Sequence, residues 1–243
     1  MLLGSGDLLI IPCSGGKNGS AKPADFAPGC FSAALPEYLV DTLAKTRETA
    51  FRKAGTIINL SSPQIPALSL YTGNPYKVPG FMTGIRNAIR SGADCLIVSG
   101  GYGLVRWDEP IRCYQARMSQ TASIWRRVLP QMLQEYVRTK RIRRVFVAVS
   151  SIYASVLSNV QWPSSVSEIW WAVPHVPYGE GALVKVPRMV GEAVVQLVGP
   201  DQVPGAGWFA LRDGRQEAEK VAGVVGDKFE SWAADWRRCL CGL

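Results

Sequence analysis

Four short apolar runs constrain the fold of this chain more than any other feature of its sequence. Each run is rich in Val, Ile, Leu or aromatic residues and is bounded by turn residues. Each also lacks the polar alternation of a half-exposed strand, which is typical of parallel strands covered on both faces. The runs span residues 8–11, 95–98, 145–149 and 169–173, and a fifth, weaker strand is predicted at 56–60 or 67–70.

Helical patterns occupy the intervals between these runs, at residues 36–54, 78–90, 122–139, 187–197 and 214–240. Strands that alternate with helices imply right-handed βαβ units. The sequence therefore predicts an α/β fold with three layers, α/β/α, around a central, mostly parallel sheet of four to five strands. A length of 243 residues suits one domain. We expect a single α/β domain over 1–243, in which 208–243 form a C-terminal helical extension.

Composition and short motifs exclude several classes of protein. The chain contains no apolar run of about 18 residues, so we expect no membrane span. Its first residues lack the basic segment of a signal peptide, which favours the cytoplasm. Six cysteines show no Cys-x-x-Cys spacing and there is one histidine, so no metal site is predicted and the thiols are expected to be reduced. P-loop, dinucleotide-binding and Gly-x-Ser-x-Gly motifs are absent, and no cofactor is expected.

The net charge of +8 is concentrated in one stretch. Seven basic residues lie there against a single acid, Glu135, which predicts binding of nucleic-acid phosphates. The alternative is a solvated helix end, where cations complement the helix dipole. DNA is the expected partner, and RNA is the alternative. The basic residues are Arg126, Arg127, Arg138, Lys140, Arg141, Arg143 and Arg144.

Polar, glycine-rich loops follow the predicted strands. Ligands of such sheets bind beyond the carboxyl ends of the strands, so these loops are candidates for substrate binding. Tyr102 and Trp107 offer rings on which a base could stack, and Asp108 and Glu109 offer carboxylates. A structural turn is the alternative for each loop. The first loop contains Cys13, Ser14, Gly15, Gly16 and Lys17, and the second contains Ser99, Gly100, Gly101, Tyr102, Trp107, Asp108, Glu109 and Tyr114.

Three further segments are weaker candidates. Ser150 and Ser151 follow the third strand and are typical of a helix N-cap that could contact phosphate. His175 follows the fourth strand between two prolines, where a structural and a catalytic role are equally compatible with the sequence. Tyr71 and Asn74 belong to a turn in which Asn74 could bind a base edge or simply begin the turn.

Together these motifs resemble a bacterial family with the pattern Pro-Cys-Ser-x-x-Lys, Leu-Tyr, Ser-x-x-Tyr-Gly-Leu, Asp and Tyr. Here the pattern is carried by the segments 11–17, 70–73, 98–105 and 108–111, and by Tyr114, so that the resemblance covers residues 8–114. The family is placed in the uracil-DNA glycosylase superfold, and its first element recurs in a domain of archaeosine synthase. The chain lacks the Gly-Gln-Asp-Pro-Tyr loop of uracil-DNA glycosylases, and His175 corresponds only loosely to their His-Pro-Ser loop.

The resemblance implies a DNA glycosylase that extrudes and excises a modified base, with α-glucosyl-hydroxymethylcytosine of phage DNA as an example, in antiviral defence. In that interpretation Asp108, or else Glu109, stabilises the cationic sugar and positions water. Lys17 and His175 stabilise the leaving base. Asp108→Ala is then expected to abolish turnover without affecting folding. Lys17 as a Schiff-base nucleophile is the alternative mechanism.

Three other functions remain open from the sequence. The first is a base-modifying transferase that acts on tRNA or DNA, as the similarity to archaeosine synthase implies. The second is a non-catalytic nucleic-acid-binding protein, and the third is an enzyme of free nucleotides. The sequence does not determine the oligomeric state.

Overall fold

The fold is described by a computed structural model, which covers residues 3–20, 29–56, 58, 60–174, 176 and 181–199, with the backbone of 209–211. The strands are β1 (Asp7–Pro12), β2 (Ile65–Pro66), β3 (Asp94–Ser99), β4 (Gly103–Arg106), β5 (Pro110–Ile111), β6 (Arg144–Ala148), β7 (Glu168–Ala172) and β8 (Phe209–Leu211). The helices are α1 (Glu37–Lys53), α2 (Ala67–Leu70), α3 (Phe81–Arg90), α4 (Met118–Trp125), α5 (Leu129–Thr139), α6 (Ser151–Ala154) and α7 (Ala182–Val198). Short 3-10 helices span Phe31–Ala34 and Asn74–Lys77.

A six-stranded sheet forms the centre of the fold, in the order β4-β3-β1-β6-β7-β8. The strands β1, β3, β6 and β7 are parallel, whereas β4 and β8 run antiparallel to their neighbours. A separate antiparallel pair joins β2 to β5. The predicted α/β fold with a mostly parallel sheet between helical layers is therefore confirmed, and the four apolar runs correspond to β1, β3, β6 and β7.

Burial on both faces explains why the strands lack polar alternation. All six residues of β1 are buried. Leu8 and Ile10 face a core that includes residues of α1, α4 and α5, while Leu9 and Ile11 face a second core that includes residues of α3 and α7. Because both faces need apolar side chains, the sequence of such a strand becomes a continuous apolar run.

Some predicted elements differ from the structure. Residues 67–70 form the short helix α2 rather than a strand, and the described residues of 56–60 belong to no strand. The predicted helix 122–139 is two helices, because the chain breaks at 126–128 before Pro130 in the first turn of α5. Helix α7 begins at Ala182, before the predicted start, and contains Pro187. Part of the predicted helical extension, 209–211, is the strand β8. The predicted helix 214–240 lies outside the described residues.

No helix within the described part of the chain has the length and hydropathy needed to cross a membrane.

Gly100 lies in the turn between β3 and β4 and packs against the start of α4. Its carbonyl oxygen accepts hydrogen bonds from Trp125 Nε1 (2.7 Å) and Thr121 Oγ1 (2.8 Å), both of which are buried. A Cβ atom at Gly100 would lie 2.6 Å from the backbone oxygen of Ala116. Since that neighbour is backbone rather than a flexible side chain, α4 would have to move away from the sheet to accept a larger residue.

We therefore expect Gly100→Ala to lower the free energy of unfolding by about 1–3 kcal/mol, the usual cost of overpacking. Gly15→Ala is the matched control because a Cβ atom at Gly15 has no neighbour within 4 Å, and its effect should stay within about 0.5 kcal/mol. Urea denaturation followed by circular dichroism measures both values. Equal stability of the two variants would contradict the close approach of α4.

Candidate functional site

A groove of about 550 Å³ lies at the edge of the sheet where the parallel strands end. The loop after β1 forms one wall, and residues 72–75 with Lys77 form another. Ser150 and Tyr153 follow β6, and the first turns of α7 contribute Leu183 and Pro187. The volume falls within the range of about 300–1,000 Å³ that is usual for sites of small ligands. The groove is therefore the candidate site for a substrate.

Two loops pack backbone against backbone to form this groove. The Oγ atom of Ser14 donates to the carbonyl oxygen of Gly16 (2.7 Å) and accepts from the amide of Gly73 (2.9 Å). The amide of Thr72 donates to the carbonyl oxygen of Gly16 (2.9 Å). A Cβ atom at Gly73 would lie 2.6 Å from Ser14 Cβ, and one at Gly16 would lie 3.0 Å from the nitrogen of Gly73. Close approach of the two segments thus explains Gly16 and Gly73.

Lys17 adjoins the groove without lining it. Its Nζ atom donates to the carbonyl oxygen of Ser14 (3.0 Å) and lies 4.4 Å from the ring centroid of Tyr114 and 5.8 Å from that of Tyr71. Burial lowers the pKa of the Lys17 ammonium, against the opposing influence of the thiols of Cys13 and Cys113. A larger fraction of this amine is therefore neutral near pH 7 than for an ordinary lysine, as a nucleophile or base requires.

A chain of hydroxyl groups extends below Lys17 into the protein. Tyr71 Oη lies 2.9 Å from Tyr114 Oη, which lies 2.6 Å from Ser99 Oγ. Burial raises the pKa of the Tyr71 and Tyr114 phenols well above their ordinary value, so that both stay protonated. Nearby, Cys13 Sγ lies 3.3 Å from Tyr153 Oη. The structure thus brings together the first loop, the Leu-Tyr motif and the start of the second loop. The two loops follow the parallel strands β1 and β3, whereas Tyr71 follows the helix α2.

Asp108 does not lie at the carboxyl edge of the sheet, and the prediction that placed it there is wrong. Strand β4 runs back along β3, so that Arg106 pairs with Leu96 and the chain reaches Asp108 near the beginning of β3. There Asp108 is 4% exposed. It accepts two hydrogen bonds from Arg106 (2.7 and 2.8 Å) and one from the amide of Gly29 (3.0 Å). These contacts give Asp108 a structural role.

Glu109 is also buried and fully engaged. Its carboxylate accepts from Arg47 (2.9 Å) and from the backbone amides of Phe31 (2.8 Å) and Arg106 (3.2 Å). It thereby attaches α1 and the Phe31–Ala34 turn to the loop after β4. Neither Asp108 nor Glu109 lines the groove, so the geometry favours other groups for chemistry there.

The two aromatic residues proposed for base stacking lie apart from the groove. The ring of Tyr102 contacts Phe51 and Tyr114 edge-on and lies 5.4 Å from the guanidinium of Arg47, and its hydroxyl accepts from the amide of Arg112. Trp107 follows β4 and lies at the amino edge of the sheet, where the parallel strands begin. The prediction that Trp107 lies with the binding loops is therefore wrong, because the antiparallel strand takes it to the other end of the sheet.

The basic stretch is divided between the two edges of the sheet, so the prediction of one continuous phosphate-binding stretch is wrong. Arg126 donates to the backbone oxygen and Oγ of Ser155 (both 3.1 Å), near the carboxyl edge, and the exposed Arg127 is adjacent. The other members lie at the amino edge, because α5 carries the chain back to the beginning of β6. They are Arg138, Lys140, Arg141, Arg143 and Arg144.

The remaining candidate residues lie partly in the groove and partly beside it. Asn74 and Ser150 line the groove, Ser151 is exposed at the start of α6, and Gly101 packs against Phe51 and Tyr114. His175 lies outside the described residues. No sequence motif identified the groove residues Tyr153, Lys77, Leu183 and Pro187. Tyr153 and Lys77 directly follow candidate loops, but nothing in the sequence of α7 predicts that this helix lines the groove.

No group of His, Cys, Asp and Glu in the described ranges could hold a metal ion.

Comparison with known proteins finds no protein-family model that matches the chain and no match among curated proteins.

The Arg106–Asp108 pair makes stability depend on pH. Burial raises the pKa of the Asp108 carboxyl, but hydrogen bonds from Arg106 and Gly29 lower it more, and the pKa lies below its ordinary value. Ionised Asp108 therefore stabilises the fold above about pH 4, and this contribution is lost as the pH falls through the folded pKa.

We expect Asp108→Asn to lower the free energy of unfolding at pH 7 by about 1.5–3 kcal/mol, the usual contribution of hydrogen bonds to charged groups. The difference from wild type should shrink as the pH falls below about 4 and through the lowered pKa of Asp108, because the protonated carboxyl is neutral like the amide of asparagine. Denaturation from pH 3 to 8 measures it, and Asp41→Asn, at an exposed position of α1, is the control. A variant as stable as wild type at pH 7 would rule out the structural role.

The pKa of Lys17 can be measured directly. After reductive ¹³C-methylation of the lysines, we expect the Lys17 methyl signal to titrate below about pH 10.4, the ordinary lysine value. NMR spectra of Lys17→Arg identify the signal by its loss. A midpoint at or above the ordinary value would contradict the effect of burial.

Proposed function

We propose that the protein is a DNA glycosylase that excises a modified base, with the extruded nucleotide in the carboxyl-edge groove and Lys17 acting at the glycosidic bond. The single observation that carries this proposal is the partly buried Lys17 amine, with its lowered pKa, beside a groove of nucleotide size. The similarity of the surrounding motifs to the uracil-DNA glycosylase superfold supports the choice of substrate.

The described polar groups of the groove suit recognition of a base. Thr72, Asn74 and Ser150 line it, and none of these side chains forms a hydrogen bond with another described residue. Hydroxyl and amide groups can bind the edges of an extruded base and can donate to the charge that develops on it as it leaves. Lys77, which is exposed at the rim, supplies a cation for the adjacent phosphate.

No carboxylate lines the groove among the described residues, which favours Lys17 as the nucleophile. In this step the Nζ–C1′ bond forms while the bond from C1′ to the base breaks. The base leaves with the electron pair and takes up a proton. The C1′–O4′ bond of the sugar ring then breaks as the ring oxygen takes up a proton from the nitrogen, which yields a protonated Schiff base between Lys17 and C1′. Release of the hydrogen bond to Ser14 would free the amine for this attack.

Borohydride trapping tests the nucleophile. With phage DNA that bears glucosylated hydroxymethylcytosine, we expect free modified base by mass spectrometry and a covalent protein–DNA adduct after reduction. Lys17→Arg should form no adduct and should release base at least about 100-fold more slowly, within the range usual for loss of a catalytic group. Lys45→Arg, an exposed lysine of α1, should behave as wild type.

Either of two results would contradict the proposal. Base release by folded Lys17→Arg at the wild-type rate would show that Lys17 takes no part in the reaction. If the protein released no base from glucosylated, uracil-containing or oxidised DNA, the proposal that it is a glycosylase would be rejected.

A base-modifying transferase is the second candidate. The absence of a carboxylate among the described groove residues favours it, because hydrolysis of the glycosidic bond ordinarily needs a group that positions water. A transferase would increase the mass of the DNA or tRNA and release no base, so the same mass spectrometry distinguishes the two functions.

A further inference from the structure

A second basic surface lies at the amino edge of the sheet, on the opposite side of the domain from the groove. Arg143 precedes β6, whereas Ser150 of the groove follows that strand. Ser150 lies six positions after Arg144, the first residue of β6, which at about 3.3 Å per residue places them about 20 Å apart. We refer to the exposed side chains of Arg90, Lys140, Arg141 and Arg143 as the amino-edge patch.

Two members of this patch, Arg90 and Arg143, lie at the loop before β1, and the other two are close to Arg143 in the sequence. The backbone amide of Arg143 donates to the oxygen of Gly6 (2.7 Å), and a Cβ atom at Gly6 would lie 3.0 Å from Arg143 Nε. Arg90 ends α3, and the residues that follow it contact Gly4 and Ser5 of the same loop. Lys140 and Arg141 follow the end of α5 directly. Arg90 and Arg143 therefore lie at one short segment, and Lys140 and Arg141 lie within three positions of Arg143.

The nearby acidic side chains each bind other groups, and they therefore do not neutralise the cations of the patch. Asp7 binds Arg144 and the amide of Gly4, and Glu135 binds Arg138. Other acids at this edge bind elsewhere: Asp94 accepts from Tyr136 and lies near Arg106, and Glu168 accepts from Trp170 Nε1 (3.0 Å). Within the described residues, no ion pair engages Arg90, Lys140, Arg141 or Arg143.

Arg141 occupies an unfavourable backbone conformation. Its φ of 53° lies in the left-handed region, and it is the one described non-glycine residue with a positive φ. It follows the C-cap of α5, a position at which helices usually place glycine or asparagine because other side chains are strained there. The conformation itself closes the end of α5, because the amides of Arg141 and Ile142 donate to the carbonyl oxygens of Arg138 (3.2 Å) and Val137 (3.0 Å). Glycine or asparagine would make the same turn with less strain, so the presence of an exposed arginine supports a role of its charge in binding.

We infer that the amino-edge patch is a second binding surface for nucleic-acid phosphates, which holds a segment of the polymer other than the one in the groove. A guanidinium binds phosphate oxygens in a bidentate manner, and three of the four members are arginines. This surface goes beyond the proposed chemistry, because binding at the amino edge requires no modified base and no turnover. On long DNA it would keep the enzyme attached while the groove samples other nucleotides.

The test is the salt dependence of binding to an unmodified 20-base-pair duplex. The variant Arg141→Asn/Arg143→Gln removes two charges and keeps a residue that tolerates the left-handed conformation. Since each neutralised phosphate contributes about 0.9 to the slope of log K against log salt, we expect the slope to become less negative by about 1.8. Lys45→Gln/Arg52→Gln, which removes two exposed charges from α1, should leave the slope unchanged.

Stability provides an independent readout. Arg141→Asn alone should unfold at an equal or higher denaturant concentration than wild type, because asparagine relieves the strain, while it still weakens DNA binding. An unchanged slope in the double variant would overturn the inference, and so would an equal change in the α1 control. Binding of the wild type to vesicles with 30% phosphatidylserine but not to the duplex would also overturn it. Because the duplex contains no modified base, none of these results depends on whether the protein is a glycosylase.

Discussion

The burial of a parallel sheet on both faces is the constraint on which the rest of the structure depends. A strand such as β1 must pair its amides and carbonyl groups with β3 and β6, because helices cover both of its faces and exclude water. Parallel pairing then directs the carboxyl ends of β1, β3 and β6 to one edge. The loops that begin at Cys13, Ser99 and Ser150 meet there for this reason, although they are far apart in sequence.

Charge is used differently at the two edges. At the amino edge, Arg106 with Asp108 and Arg144 with Asp7 form buried or half-buried pairs that attach loops and strands to one another. At the carboxyl edge, the groove contains hydroxyl, amide and thiol groups, and Lys17 is held against aromatic rings. Because Asp7 and Asp108 bind partners within the framework, the chemistry proposed for the groove would depend on the Lys17 amine and on neutral polar groups.

The proposed reaction and the proposed second surface fit one model of action on a polymer. A small groove accepts one extruded nucleotide, while a surface about 20 Å away, estimated from the rise of a strand, binds phosphates without regard to sequence. The strained backbone of Arg141 would then lower the stability of the fold modestly, while the charge of its side chain contributes to attachment. The two surfaces share no residue, and their contributions can be measured separately.

The sequence by itself determined the fold class and the positions of the candidate loops, because continuous apolar runs mark doubly covered strands and their ends mark the carboxyl edge. Only the tertiary structure decided which loop residues belong to the site. The reversal of β4 depends on pairing with β3, and it moved Trp107 and Asp108 to the opposite edge. Two of the partners of the Asp108 and Glu109 carboxylates, the amides of Gly29 and Phe31, lie nearly 80 positions away in the sequence. The lowered pKa of Lys17 arises from burial among Tyr71, Tyr114 and the first loop. These residues are far apart in the sequence, so a local sequence pattern cannot predict the shift.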